Sequence, residues 1–367
     1  MSKHTIARIF LAAGAIGVLT GAAQLLTGNA GIAGYFLIPG LIITALSFQG
    51  FSGLSGFTYT TFIFAAVALA MYFPSTFISA GNFQFKTLII PLLQLIMFGV
   101  GCTMGLKDFE GVVKMPKPVI IGIVCQFTIM PLLGFGIARM FGFPPEIAAG
   151  IILVGSVPSG LASNVMSYIA NANVALSVTL TAVATLMAPF MTPLLMELLA
   201  GQYVPVHFSA MMMDIIKIVI LPIGGGLVFN QLLGKRFPVL NKIMPVVSMV
   251  SIGAIITIIT ATGRDALLDV GLVLLAACAI HNLAGYLLGY QACRLLGMDE
   301  RSCRTIALEV GLQNAGLASG LALQMGRVAT VGLAPAIFGP LMNITGSSLA
   351  SWWHGRPVKD EVAAVGS

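Results

Sequence analysis

Charge is what this sequence most lacks. Lysine and arginine number 18 and aspartate and glutamate 12, so only 8% of the 367 residues are charged, against about a quarter in a typical soluble domain. So little ionic surface excludes an ordinary cytosolic enzyme and a disordered chain, both of which stay in water through their charges. Cysteine is scarce too, with five residues. Cys102, Cys125 and Cys278 sit in apolar runs, where a free thiol behaves as a small hydrophobe, and Cys293 and Cys303 flank a basic loop without metal-ligand spacing. Neither disulfides nor zinc are expected, which excludes a disulfide-stapled secreted module. Catalytic motifs are missing as well. No nucleophile–base–acid triad, phosphate-binding glycine loop or metal motif occurs, and the intramembrane His281 reads as a packing residue, so the chain is not expected to be an enzyme.

What the sequence has in excess is apolar length. Hydrophobic residues make up 58% of it, and the mean hydropathy is +1.00. A helix needs about 20 mostly apolar residues to cross a bilayer. Twelve such stretches occur, at about 6–26, 31–48, 57–73, 87–105, 117–140, 146–170, 173–200, 209–233, 243–262, 266–293, 303–325 and 328–353. They are apolar on all sides, which excludes a β-barrel, whose strands would alternate in polarity. The fold class is therefore an all-α polytopic membrane protein. Lys3, His4 and Arg8 could open a signal peptide, but the first apolar run is long and a second follows at once, so a retained helix is expected.

The net charge of +6 would suit a nucleic-acid partner only if it were clustered. The basic residues are instead scattered through short loops, so no nucleic acid is implied and the excess reports orientation. With the N-terminus in the cytoplasm, 13 basic residues fall on that side: Lys3, Arg8, Lys107, Lys114, Lys117, Lys235, Arg236, Lys242, Arg294, Arg301, Arg304, Arg356 and Lys359. Only 4, Lys86, Arg139, Arg264 and Arg327, fall on the other. Both termini are expected to be cytoplasmic, with the chain multi-pass in the cell inner (cytoplasmic) membrane.

Two spans are unsuited to an unbroken helix. Gly155-Ser156-Val157-Pro158-Ser159-Gly160-Leu161-Ala162-Ser163-Asn164 places proline, two more small turn-formers and several hydroxyls near mid-membrane, and Glu309 through Gly320 carries a carboxylate, two amides and three glycines. Proline removes a backbone donor, and freed backbone groups at that depth survive only where protein or a water-lined cavity satisfies them. Interrupted helices in matching positions of two halves point to the binding site of a secondary transporter. Five spans lie from 57 to 200 and five from 209 to 353; an odd number per half implies opposite orientation. The expectation is a 5+5 inverted repeat within residues 51–355, with 1–50 an additional N-terminal hairpin and 356–367 a cytoplasmic tail.

Polar residues cluster around these breaks. A charge at the bilayer centre costs roughly 2.5–3.5 kcal/mol on insertion scales, so Glu309 needs a reason. Gln313 lies four residues on, and Ser177 and Thr181 repeat that spacing on the span after the first break, so each pair shares one helical face. Carboxylate, amide and hydroxyl oxygens together suit a hard cation, although serine and threonine also serve as interhelical glue. Gln126 is a lone amide in an apolar span. Gly-xxx-Gly spacings at 17/21, 101/105, 285/289 and 316/320 allow close helix approach.

Taken together, Ala162-Ser163-Asn164-Val165-Met166, Asn173-Val174-Ala175-Leu176-Ser177-Val178, Glu309-Val310-Gly311-Leu312-Gln313-Asn314, Gln126 before Phe127, and Asn343-Ile344-Thr345-Gly346-Ser347 resemble the signatures of the bile acid:sodium symporter family, in particular its bacterial members. The resemblance covers about residues 55–353 and implies ten helices in two inverted repeats, sorted into a panel and a core, whose discontinuous helices cross at two sodium ions. It implies a first ion site of Ser163, Asn164, Ser177, Thr181 and Glu309. A second would use Gln126, Glu309 and Gln313 with main-chain oxygens of Val310 and Leu312. An organic anion, such as a pantoate-like or keto acid or a bile acid, would bind beside them near Asn314, Asn343 and Leu161. Pro158-Ser159-Gly160-Leu161 stands where the family often has Pro-Gly-Gly-Thr, and Met342 where bacterial relatives commonly have His. Both departures remove polar groups from the expected pocket. A proton-coupled or otherwise sodium-independent carrier, and a ligand-binding membrane receptor, are the alternatives.

Overall fold

A computed structural model describes residues 3–51, 54, 57–234, 239–356 and 358. Lys235, Arg236, Lys359 and the rest of the expected C-terminal tail lie outside the described residues, apart from Arg356 and Val358.

The N-terminal pair is α1 (Lys3–Leu26) and α2 (Ala30–Phe48). A first run follows with α3 (Thr58–Tyr72), α4 (Ile89–Thr103), α5 (Pro116–Phe141), the half-helices α6 (Pro145–Ser156) and α7 (Ala162–Ile169), and α8 (Val174–Leu195), which runs on through a π turn at Met196–Ala200. A second run has α9 (Phe208–Leu233, with a π turn at Ile216–Ile220), α10 (Leu240–Thr262), α11 (Arg264–Leu295), the half-helices α12 (Glu300–Gly311) and α13 (Ala315–Gln324), and α14 (Leu333–His354). The fourth member of each run is the broken one. Between α3 and α4 a short antiparallel pair, β1 (Ser79–Ala80) with β2 (Phe83–Gln84), forms a feature the hydropathy pattern does not show.

Eight helices among the described residues are long and apolar enough to cross a membrane. The other expected spans fall short for visible reasons. α3 has 15 residues, each broken span is split in two, and Asn343, Thr345, Ser347 and Ser348 dilute α14. The outward surface is greasy in the way a lipid-facing surface must be, with Ile16, Leu26, Leu232 and Leu272 all exposed.

Packing sorts the helices into two groups. The first two members of each run, α3, α4, α9 and α10, form a panel in which α4 lies against α9 and α10, and α3 against α10. The remaining members form a core, with α5 against α6 and α11, and α11 against α12 and α14. The added hairpin packs on itself and meets the rest chiefly through α2 on α3. Its turns come close because Gly17 and Gly40 face each other, where a Cβ on Gly17 would lie 3.0 Å from the Gly40 Cα.

Candidate functional site

The two breaks meet. Val157, the residue before Pro158, is extended (φ −82°, ψ 161°), as steric conflict with the proline ring requires, and α6 stops there. α12 stops at Leu312 (φ −100°, ψ 89°). The unwound segments then pair as an antiparallel bridge between Ser159 and Gln313. The Gly160 amide donates to the Leu312 carbonyl and the Asn314 amide to the Pro158 carbonyl, each at 2.9 Å. Side chains satisfy the neighbouring carbonyls: Thr192 donates to Ser156 O (2.8 Å), Gln126 Nε2 to Val157 O (3.1 Å) and Asn282 Nδ2 to Gly311 O (2.8 Å). Backbone freed by the breaks is thus bonded within protein, the condition for irregular chain at membrane depth. Asn314 and Asn173 restart the chain as helix, their side chains accepting from the Leu317 and Leu176 amides at 3.0 and 3.1 Å.

Glu309 sits on α12 just before its break and is only 2% exposed. Ser177 Oγ donates to Oε1 at 2.5 Å, and Thr181 Oγ1 lies 3.2 Å from Oε1 and 3.0 Å from Oε2. The same two hydroxyls lie 2.8 and 3.2 Å from Asn164 Oδ1. Ser163 Oγ is 3.3 Å from Thr181 Oγ1, and donates to the Gly160 carbonyl at 2.8 Å. All five residues of the first expected ion set therefore converge, from α7, α8 and α12. Acceptors outnumber protons here, because each hydroxyl has one hydrogen and faces both the carboxylate and the Asn164 oxygen. An oxygen cluster short of protons, one member a carboxylate, is suited to a hard cation.

Sequence reasoning missed Ser159. Its hydroxyl donates to Glu309 Oε2 at 2.6 Å from a buried position. The residue belongs to the stretch singled out as broken, but an unwound segment has no helical period that would point its side chain at a partner.

The second expected set is gathered in part. Gln126 Nε2 donates to Gln313 Oε1 at 3.0 Å, and Gln313 Nε2 to the Val310 carbonyl at 2.5 Å, while the Leu312 carbonyl is occupied by the Gly160 amide. Hydrogen bonds tie Gln126 and Gln313 to each other, whereas those of Glu309 run to Ser159, Ser177 and Thr181. Gln126 Oε1 is buried without a hydrogen-bond partner. An orphaned buried oxygen is costly, and it marks a place where a cation would be welcome. Among the described residues no group of three or more His, Cys, Asp or Glu side chains could hold a metal, and all five cysteines are free and buried.

Beside the crossing, between panel and core, lies a cavity of about 220 Å³. Leu161, Asn314 and Asn343, the expected substrate neighbours, all line it, together with Ser159 and with Thr181 and Gln313 from the ion sets. Leu161 is 41% exposed. The panel wall is mostly aliphatic, with Ile63, Met97, Ile252 and Ile256 among its members, and carries the hydroxyls of Tyr59, Thr60 and Ser248. The cavity extends toward the end of the molecule where α3 and α10 begin and α4 finishes, at Tyr59, Ser248 and Met104. At the opposite end Leu93 of α4 is fully buried against Gly316 and Gly320 of α13, where a Cβ on Gly320 would overlap its Cδ1.

Arg304, assigned by its sequence to a cytoplasmic loop, is a buried residue of α12. Nε donates to Glu300 Oε1 at 2.9 Å, and the other nitrogens donate to the carbonyls of Ala170, Trp353 and Arg356 at 3.1, 3.2 and 2.9 Å. A cation at the C-terminal ends of α7 and α14 meets their dipoles favourably. His281 is likewise structural, with its Nε2 2.9 Å from the Met130 carbonyl and its ring edge-on to Phe338.

Known proteins resemble this chain over most of its length. The model of the Sodium Bile acid symporter family matches residues 90–269. The chain is 38% identical over 317 residues to the "Uncharacterized sodium-dependent transporter YocS" of Bacillus subtilis (strain 168), covering 86% of this chain and 97% of that protein. It is 37% identical over 287 residues to the "Probable sodium/metabolite cotransporter BASS1, chloroplastic" of Arabidopsis thaliana, covering 78% and 70%. The rice (Oryza sativa subsp. japonica) protein of the same description is 33% identical over 309 residues, covering 83% and 74%.

Proposed function

The chain belongs to the Sodium Bile acid symporter family, and we propose that it is a sodium-coupled symporter that carries an organic anion across the bacterial inner membrane by alternating access. The observation that carries this reading is the oxygen cluster around Glu309, which draws on α7, α8 and α12 at once. A sodium ion among Ser163, Asn164, Ser177, Thr181 and Glu309 would tie both broken helices to α8. A second, at Gln126, Glu309, Gln313 and the Val310 and Leu312 carbonyls, would use the orphaned Gln126 Oε1. Each hydroxyl would turn a lone pair to the ion while keeping its proton, pointed at a neighbouring acceptor.

The anion would lie in the adjoining cavity against Asn314, Asn343 and Leu161, where the positive ends of α7 and α13 favour negative charge. The two five-span runs, about 57–200 and 209–353, would be the inverted repeats. With both termini cytoplasmic, the cavity faces inward and the Leu93 contact closes the outer side. Two sodium ions with a monoanion would move one net charge, worth about 2.3 kcal/mol per 100 mV.

Uptake by purified protein in liposomes tests the reading. We expect a carboxylate to be accumulated under an inward sodium gradient, and faster with a negative interior. Accumulation that ignores sodium and follows a pH gradient would overturn it in favour of a proton-coupled carrier, and binding without counterflow in favour of a receptor.

A further inference from the structure

Asn282 of α11 is a fully buried amide in an apolar span, and it belongs to neither ion set and does not line the cavity. Its Nδ2 donates to the Gly311 carbonyl at 2.8 Å. α12 ends at Gly311, and the Ala315 amide, which would have met that carbonyl in a continued helix, turns to the Gln313 carbonyl instead. Asn282 therefore satisfies a group that the break itself frees. Gln126 does the same at the other break. It sits on α5, the third member of the first run as α11 is of the second, and donates to the Val157 carbonyl.

The two amides differ at their oxygens. Gln126 Oε1 is orphaned, whereas Asn282 Oδ1 accepts from Thr345 Oγ1 of α14 at 2.5 Å, the shortest of that hydroxyl's hydrogen bonds. A flipped amide would set oxygen against oxygen at Gly311, so the threonine fixes which end of Asn282 faces α12. Tyr286, one turn on from Asn282 and on the same face, closes the other side. A Cβ on Gly311 would lie 2.2 Å from its ring, and its hydroxyl donates to the Met342 carbonyl of α14 at 3.2 Å.

Three successive carbonyls at the end of α12 thus have three different donors. Val310 O has Gln313 Nε2, Gly311 O has Asn282 Nδ2 and Leu312 O has the Gly160 amide. The outer two belong to the second expected ion set, and each oxygen keeps a further lone pair. Their directions depend on the peptide groups between them, which Asn282 holds from α11. We infer that Asn282, oriented by Thr345, is a positioning residue of the second sodium site, raising its affinity without touching the ion. Without Asn282 the buried Gly311 carbonyl would be orphaned, and the unwound segment would turn to satisfy it at the expense of the flanking oxygens.

This rests on the two-sodium reading, and calorimetric titration of sodium into the intact purified protein, in potassium-based buffer, tests it. The variants are Thr345→Val, which keeps the side chain's shape and removes the hydroxyl, Thr345→Ser, which keeps the hydroxyl, and Asn282→Ala. Groups that orient the ligands of a bound metal contribute about tenfold or more to its affinity, so Thr345→Val and Asn282→Ala should each weaken one of the two sodium-binding steps by about that factor. Thr345→Ser should bind as the unaltered protein does. Adding Thr345→Val to Asn282→Ala should weaken binding no further, because Thr345 acts through Asn282. A merely structural role would lower the thermal midpoint of Thr345→Val and leave both binding steps where they were, and that result would overturn the inference. So would a further tenfold loss in the double variant. If the unaltered protein binds fewer than two sodium ions, the two-ion reading itself falls and takes the inference with it; if it binds two and the variants match it, only the role of Asn282 falls.

Discussion

At the scale of single residues, Glu309 organises the crossing. Ser159 from the unwound segment and Ser177 and Thr181 from α8 donate to it, so protein hydrogen bonds alone hold the carboxylate. Hydrogen bonds to a charged group are worth about 1.5–3 kcal/mol. Ser159→Ala should therefore lower stability by about that amount in potassium and by less in sodium, because an ion can replace the lost donor. Thermal midpoints in the two salts check this; an equal loss in both would make Ser159 merely a packing residue. Ser163, Asn164, Ser177, Thr181 and Glu309 were readable from the sequence because intramembrane polar residues are few and because 177/181 keeps helical spacing. Ser159 was not, for want of a period. Arg304 was misjudged because a cation at a span edge looks the same whether it faces water or satisfies three buried carbonyls.

At the scale of elements, the breaks were legible because Pro158 and the glycines around 311–320 are incompatible with long uninterrupted helices. That they would pair as a two-residue bridge was not, since hydrogen bonding between segments some 150 residues apart leaves no local signal. The π turns in α8 and α9 were equally silent. The Gly316/Gly320 spacing was visible but its partner was not. It receives Leu93 and so joins panel to core at the end away from the cavity's opening. Gly320→Ala should force these helices apart at a cost of about 1–3 kcal/mol. Adding Leu93→Ala should recover part of that loss, as expected when two sites share one contact. A chemical-denaturation double-mutant cycle checks it, and strict additivity would contradict the contact.

At the scale of the whole molecule, eight of the twelve expected spans are helices long and apolar enough to cross a membrane, and hydropathy was enough to mark them. The division into panel and core does not follow from hydropathy, because it depends on which lipid-compatible faces find each other. Among the described residues the hairpin α1–α2 contributes none to the crossing or to the cavity, and it rests chiefly on α3. A chain lacking residues 1–50 should keep the sodium-dependent stabilisation of the intact protein, measured by thermal unfolding in detergent. Its loss on truncation would mean that the hairpin shapes the site through the panel.

The most direct measurement is sodium binding itself, by calorimetric titration of the purified protein in potassium-based buffer, unaltered and as Glu309→Gln. That substitution keeps the side chain's shape and removes its charge. We expect saturable sodium binding to the unaltered protein and its loss, by tenfold or more in affinity, in the variant. Equal binding in both, or no sodium binding in either, would contradict the assignment of the crossing as the ion site.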